Sequence, residues 1–106
     1  MPPQRFRLAN VEFDVGRRTA TRDGETVILT PTEWKLLARL AEDHGRLVLN
    51  TDLLTSVWGS KHSGDVAYLR VWISRLRRKL EPTRGEPDLI KTMQGVGYML
   101  DAQPLD

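Results

Sequence analysis

The stretch from Val66 to Leu80 constrains this chain more than any other part of it. These residues include five cations, Arg70, Arg75, Arg77, Arg78 and Lys79, and no acid. Leu69, Ile73, Leu76 and Leu80 recur at i, i+4, i+7 and i+11, and at about 100° per residue they fall within about 40° of one line. The spacing predicts a helix over about 65–80 with one apolar stripe against a core. Val71, Ser74, Arg75 and Arg78 project from the opposite side, flanked by Arg70 and Arg77. Asp65 at the N-terminal end and the cations toward the C-terminal end suit the helix dipole.

The charge balance shows how local this feature is. The 106 residues hold 16 basic and 14 acidic side chains, a net charge of +2. With five cations and no acid inside it, Val66–Leu80 carries +5 and the remainder of the chain −3. Such concentration points to a polyanionic partner more than to a generally basic protein. The length predicts a single domain over 1–106. There is no cysteine, which excludes a disulfide scaffold, thiolate zinc sites, iron–sulfur clusters and cysteine nucleophiles, and suits a reducing cytosol. The apolar runs are too short for a membrane helix, and Met1–Arg5 has no apolar stretch of signal-peptide type. A cytoplasmic location is expected.

Residues 5–29 read as three or four antiparallel strands with one face buried. Phe6 and Leu8 alternate with Arg5 and Arg7, and Val11, Phe13 and Val15 alternate with Glu12 and Asp14. Asp23-Gly24 is the strongest hairpin signal, flanked by Thr19–Arg22 and Glu25–Leu29. Thr30-Pro31-Thr32-Glu33 starts a helix, with Thr30 as N-cap, Pro31 at N1 and Glu33 closing a capping box. Trp34, Leu37, Ala38 and Ala41 form its stripe, widened by Leu36 and Leu40, and Gly45 stops it. Leu47–Leu49 is a short extended piece. Asn50 is expected to cap a second helix with Leu53, Leu54, Val57 and Trp58 inward, and Gly59 ends it. The third helix is broken by Pro82, Gly85 and Pro87. Leu89–Met93 and Tyr98–Leu100 read as a terminal hairpin around Gln94-Gly95-Val96-Gly97. Only Met1–Gln4 and Gln103–Asp106 look loose.

The expected fold class is therefore α+β: an N-terminal antiparallel sheet over 5–29, a three-helix core over 30–80 and a β-hairpin wing over 89–101. This is the layout of a winged helix-turn-helix. A helix that buries one face and carries cations on the rest fits the DNA major groove, and arginine offers a planar fork to guanine or phosphate. The bland alternative is a solvated face, but such a face normally interleaves acids for i,i+4 pairs.

Four motifs carry a family resemblance. Leu29-Thr30-Pro31-Thr32-Glu33-Trp34-Lys35-Leu36-Leu37 resembles the "LTxxEfxLL" opening of OmpR/PhoB-type response-regulator effector domains. Leu53–Gly59 resembles their "LLxxVWG", Ile73–Glu81 their "IsrLRrKLE", and Ile90–Tyr98 their "IxTvrGxGY". In this order the motifs cover roughly residues 5–101. Tyr68-Leu69-Arg70-Val71 resembles the KdpE branch, where "YLR" replaces "xVD". The resemblance implies binding of promoter DNA as the output half of a two-component regulator, with tandem copies on a direct repeat. It implies a monomer in isolation and pairing on DNA. It also implies a receiver domain, for which nothing precedes Arg5; an excised effector domain and a chain acting alone both fit.

Carried over by position, the resemblance makes Tyr68, Val71, Ser74, Arg75 and Arg78 base-reading candidates, with Arg75 first for guanine and Val71 for a thymine methyl. Arg70, Trp72 and Arg77 are expected at phosphate or the groove edge, with Trp72 equally readable as half core. Lys79 turns partly toward the body of the domain. In the wing, Gln94 stands where many members have Arg, and Met99 where "GYR" has Arg, so Gln94 or Lys91 is left for a weak backbone contact. Leu49 occupies the family's usual Ser/Thr cap position. The 59–64 loop corresponds to a segment the family can use on RNA polymerase, though a plain connection suffices.

Other chemistries find little support. His44 and His62 are the only histidines and lack convergent partners for a metal. His62, Ser63 and Asp65 are sequence neighbours, which does not make a triad. Gly95-Val96-Gly97 precedes no helix and reads as a tight turn and close approach rather than a nucleotide loop. No enzyme and no cofactor are expected. The rival from another class is a winged-helix protein-interaction module without DNA binding, against which the charge of Arg75 and Arg78 argues.

Overall fold

A computed structural model describes residues 2–81 and 88–105. The predicted helix breakers Pro82, Gly85 and Pro87 lie outside the described residues. Four strands open the chain: β1 (Arg5–Leu8), β2 (Val11–Asp14), β3 (Thr19–Arg22) and β4 (Glu25–Thr26), each antiparallel to the next. Period-2 alternation buries Phe6, Val11, Phe13 and Ala20 on one face and leaves Arg5 and Arg7 outside. Phe6 and Phe13 are cross-strand partners with ring centroids 5.4 Å apart. Asp23 and Gly24 both have positive φ, +55° and +78°, as the two-residue turn joining β3 to β4 requires. β4 stops at Thr26 rather than reaching Leu29. The chain leaves the sheet there, burying Leu29 in the core and bringing Thr30 to the start of the first helix, while Ile28 is left 78% exposed.

That helix, α1 (Pro31–Glu42), has the predicted capping box: Thr30 Oγ1 accepts from the Glu33 N–H, and Glu33 Oε1 accepts from the Thr30 N–H at 2.8 Å. Its buried stripe is Trp34, Leu36, Leu37, Leu40 and Ala41. Ala38 is only half-buried, so the inward face is turned toward Leu36 and Leu40 relative to the expected one. The helix ends with Asp43 as C-cap, two residues before Gly45. The Gly45 N–H instead donates to Leu100 O.

Val48–Leu49 forms β5 and runs directly into α2 (Asn50–Trp58). Here the sequence expectation is corrected. Leu49, not Asn50, is the N-cap residue, and no side chain caps the helix. The reason is tertiary: Leu49 is already paired as strand, and the Asn50 N–H donates to Val96 O in the terminal hairpin at 2.9 Å. Leu53 and Leu54 are buried, with Val57 and Trp58 half-buried. A 3-10 turn over Ser60–His62 follows Gly59 and leads to α3 (Val66–Leu80). Leu69, Ile73, Leu76 and Leu80 are fully buried, as their spacing predicts.

β6 (Ile90–Met93) and β7 (Gly97–Leu100) make the terminal hairpin, and β7 also pairs with β5, giving a second sheet in the order β5-β7-β6. Gly97 is where the backbones approach: a Cβ there would lie 2.0 Å from Val48 O. The expected looseness of both ends is corrected. Gln103–Pro104 forms β8 against β1, so the first sheet runs β4-β3-β2-β1-β8, and Gln4 O accepts from the Val15 N–H. β8 covers an edge of β1 that would otherwise be open, and proline is tolerated at such an edge.

One ion pair joins the first and third helices. Lys79 Nζ donates to Glu33 Oε1 at 2.7 Å, and Glu33 is 1% exposed. Burial pushes the Glu33 carboxyl up, but the hydrogen bond from Lys79, the Thr30 N–H, the Lys79 charge and the Thr30 hydroxyl together hold it below its ordinary 4.5. A depressed carboxyl contributes stability above its unfolded value, lost as pH falls through the folded one. Lys79→Ala is expected to cost about 1–2 kcal/mol at pH 7, discounted for the partly exposed ammonium. Thermal melts of both forms should converge as pH falls below about 4.5. An equal gap at pH 7 and pH 3 would refute this.

Candidate nucleic-acid interface

Of the five cations in α3, two are turned inward. Lys79 is held by Glu33, as above. Arg77 donates from Nε to Ile90 O at 3.2 Å and from its terminal nitrogen to Ile90 O and to Thr92 Oγ1, the latter at 2.6 Å. It also lies 3.8 Å from Glu81 and over the Tyr98 ring. The side chain expected at phosphate or the groove edge thus has donors engaged within the domain. Its position on the helix faces β6, whose carbonyl and hydroxyl take up its donors.

The other three cations, Arg70, Arg75 and Arg78, are exposed, and among the described residues none is paired with an acid. Arg75, Arg78, Val71 and Ser74 share the face opposite the buried stripe with Ala67. Arg70 lines a small cleft between α3 and the hairpin, together with Asn50, Thr92 and Gln94. Tyr68 is exposed toward the N-terminal end, where its ring meets Trp58 at 5.2 Å and Trp72 at 6.3 Å. Trp72 is half-buried against Trp58, matching the half-core reading.

The hairpin is fastened to the end of α3. Both oxygens of Glu81, the C-cap of α3, accept backbone N–H groups: Leu89 at 2.8 Å and Ile90 at 3.1 Å. With Arg77 on Ile90 O, the start of β6 is gripped through its donors and its acceptor. At the tip, Gln94, Gly95 and Val96 are exposed, with the Val96 N–H closing a turn onto Met93 O. Lys91 is occupied by Asp101 at 2.8 Å, which raises the Lys91 ammonium above its ordinary value. Of the Lys91 cation and the Gln94 amide, Gln94 is the one left at the tip.

Sequence reasoning missed Ala67 and Glu81. Ala67 was accessible to it, lying four residues before Val71 and seven before Ser74. Glu81 was not: its partners are the amides of Leu89 and Ile90, across a break in the pattern. His62 pairs with Asp65 at 2.8 Å, and His44 packs edge-on against Phe6, so each histidine is accounted for by its neighbours.

Three helices with a basic third, a sheet behind them and a hairpin tied to the end of that helix define a winged helix-turn-helix domain. The model of the family described as "Transcriptional regulatory protein, C terminal" matches residues 24–100. The transcriptional regulatory protein KdpE of Mycobacterium tuberculosis is 42% identical over 89 residues, which are 84% of this chain and 39% of KdpE. Among solved structures, the response regulator DrrB of Thermotoga maritima, an OmpR/PhoB homolog, superposes with a TM-score of 0.76 at 28% identity, covering 92% of this chain and 44% of DrrB. The Klebsiella pneumoniae RstA DNA-binding domain, solved in complex with the RstA box, gives 0.75 at 30% identity, covering 92% of this chain and 97% of that one. This chain belongs to the family of C-terminal domains of transcriptional regulatory proteins, of the OmpR/PhoB type, and its likeness to KdpE agrees with the Tyr68–Val71 motif. It spans about two fifths of the length of KdpE.

Proposed function

We propose that this chain binds double-stranded promoter DNA sequence-specifically, as the output domain of a two-component response regulator that controls transcription in the cytoplasm. One observation carries the reading: Arg70, Arg75 and Arg78 project from α3, with no acidic partner among the described residues. An exposed helix face of this kind enters the major groove. Arg75 and Arg78 read base edges with Tyr68, Val71 and Ser74. Arg70 and Gln94 meet phosphate from either side of the cleft, and Trp72 lies at the groove edge. Arg77 contributes through the wing it holds. Residues 1–106 act as one unit, joined to a receiver domain in the whole regulator.

Copies bind in tandem on a direct repeat, each a monomer when free, and the Gly59–Gly64 segment faces RNA polymerase. The sequence resemblance supports these three points. Fluorescence anisotropy with promoter duplex should show affinity falling by about 0.9 log units per log unit of salt for each phosphate neutralised. A flat salt response would sink the proposal. Sedimentation of the same samples should show a monomer without DNA and two copies on a two-site duplex; a tight dimer without DNA would reject the tandem arrangement.

A further inference from the structure

We infer that Trp72 is a positioning residue for Arg75, presenting its guanidinium to a base edge with its N–H donors unspent. This rests on the reading of DNA by α3 proposed above. The Arg75 Cζ lies 4.9 Å from the centroid of the Trp72 ring. Among the described residues, Arg75 has no hydrogen bond or ion pair. Two other arginines are held differently. Arg39 spends donors on Ser56 and Asp43, and Arg77 spends them on Ile90 and Thr92.

The difference matters chemically. A guanidinium carries five N–H donors in its plane, and a bidentate contact to guanine needs two of them on one edge. A carboxylate would fix the side chain but use that edge and cancel the charge. A ring beneath the plane fixes it through its face and leaves the edge available. The i,i+3 spacing of Trp72 and Arg75 makes them neighbours on the helix surface.

Trp72 is itself fixed. Its ring lies 6.0 Å from Trp58 and 6.3 Å from Tyr68, and those two rings meet at 5.2 Å and 67°. His62 stacks on Tyr68 at 6.5 Å, so a ladder of four rings ends under Arg75. Arginine carries a large rotamer entropy, and an interaction that orders it before binding removes part of that cost from the binding step.

The test compares the 106-residue chain with Trp72→Leu, Trp72→Phe, Arg75→Ala and the Trp72→Leu/Arg75→Ala double variant. The probes are the duplex most enriched by the unsubstituted chain from a random pool and a shuffled duplex of equal length. Trp72→Leu should lower the affinity ratio of selected over shuffled duplex roughly three- to tenfold, leaving the salt slope unchanged. Trp72→Phe should restore most of that ratio, and in the Arg75→Ala background Trp72→Leu should have no further effect on it. In the free chain, ring current should move the Arg75 Nε–H resonance upfield, and Trp72→Leu should abolish that shift. A ratio untouched by Trp72→Leu, an equal loss in the Arg75→Ala background, or no upfield shift overturns the inference alone. An unsubstituted chain without salt-dependent binding overturns the DNA reading and the inference together.

Discussion

Gly97→Ala is expected to lower the midpoint of thermal unfolding by about 10–20 °C, from about 3 kcal/mol of lost stability at the usual conversion for a domain of this size. The new Cβ would lie 2.0 Å from Val48 O, 2.9 Å from Val48 C and 3.0 Å from Leu49 Cα. All three are backbone atoms, so no side chain can swing aside. Either β5 and β7 separate, with loss of the Leu49–Gly97 pairing, or the hairpin shifts as a whole. Both outcomes disturb the entry to α2, because the Asn50 N–H depends on Val96 O. Gly64→Ala is the control, since a Cβ there meets nothing within 4 Å. Circular dichroism melts separate the cases. A Gly97→Ala variant melting within about 2 °C of the unsubstituted chain, roughly the resolution of a few tenths of a kcal/mol, would show that the close approach carries no weight.

Arg75→Ala is expected to cost about 1–3 kcal/mol, or about 5- to 150-fold, on the selected duplex and to relax base choice at one position. Arg75 stands at the middle of the exposed face, and among the described residues no acid competes for it. Binding to shuffled duplex should fall far less, in line with the loss of one charge. Arg77→Ala is the contrast. Its donors serve Ile90 and Thr92, so its loss should register first as a lower melting midpoint. Selection from a random pool with each variant decides the matter. If Arg75→Ala returned the same consensus as the unsubstituted chain, Arg75 would not be reading a base.

The elements that were legible in the sequence are those whose signal is local. The box Thr30-Pro31-Thr32-Glu33 states its own hydrogen bonds, and the stripe Leu69, Ile73, Leu76, Leu80 states which way α3 faces. The Asp23-Gly24 turn follows from backbone preference alone. What could not be read depends on partners distant in the chain. Asn50 looks like a cap until Val96 takes its N–H, and Gln103–Pro104 looks loose until β1 offers an edge. The site divides in the same way. Its exposed face was legible from helical period, which also reaches Ala67 although that small side chain was passed over. Which cations stay outside was legible only in part: helical position turned Lys79 toward the body of the domain, but nothing near Arg77 in sequence announces Ile90.

The grip of α3 on the first residues of β6 has a mechanical consequence. Glu81 and Arg77 clasp the peptide groups around Ile90 from opposite polarities, so the hairpin is geared to the rod it follows. Any roll of that rod must carry the tip, with Gln94 on it, through an arc. A displacement imposed on one is then borne by both, and a modest rotation is amplified over the length of the lever.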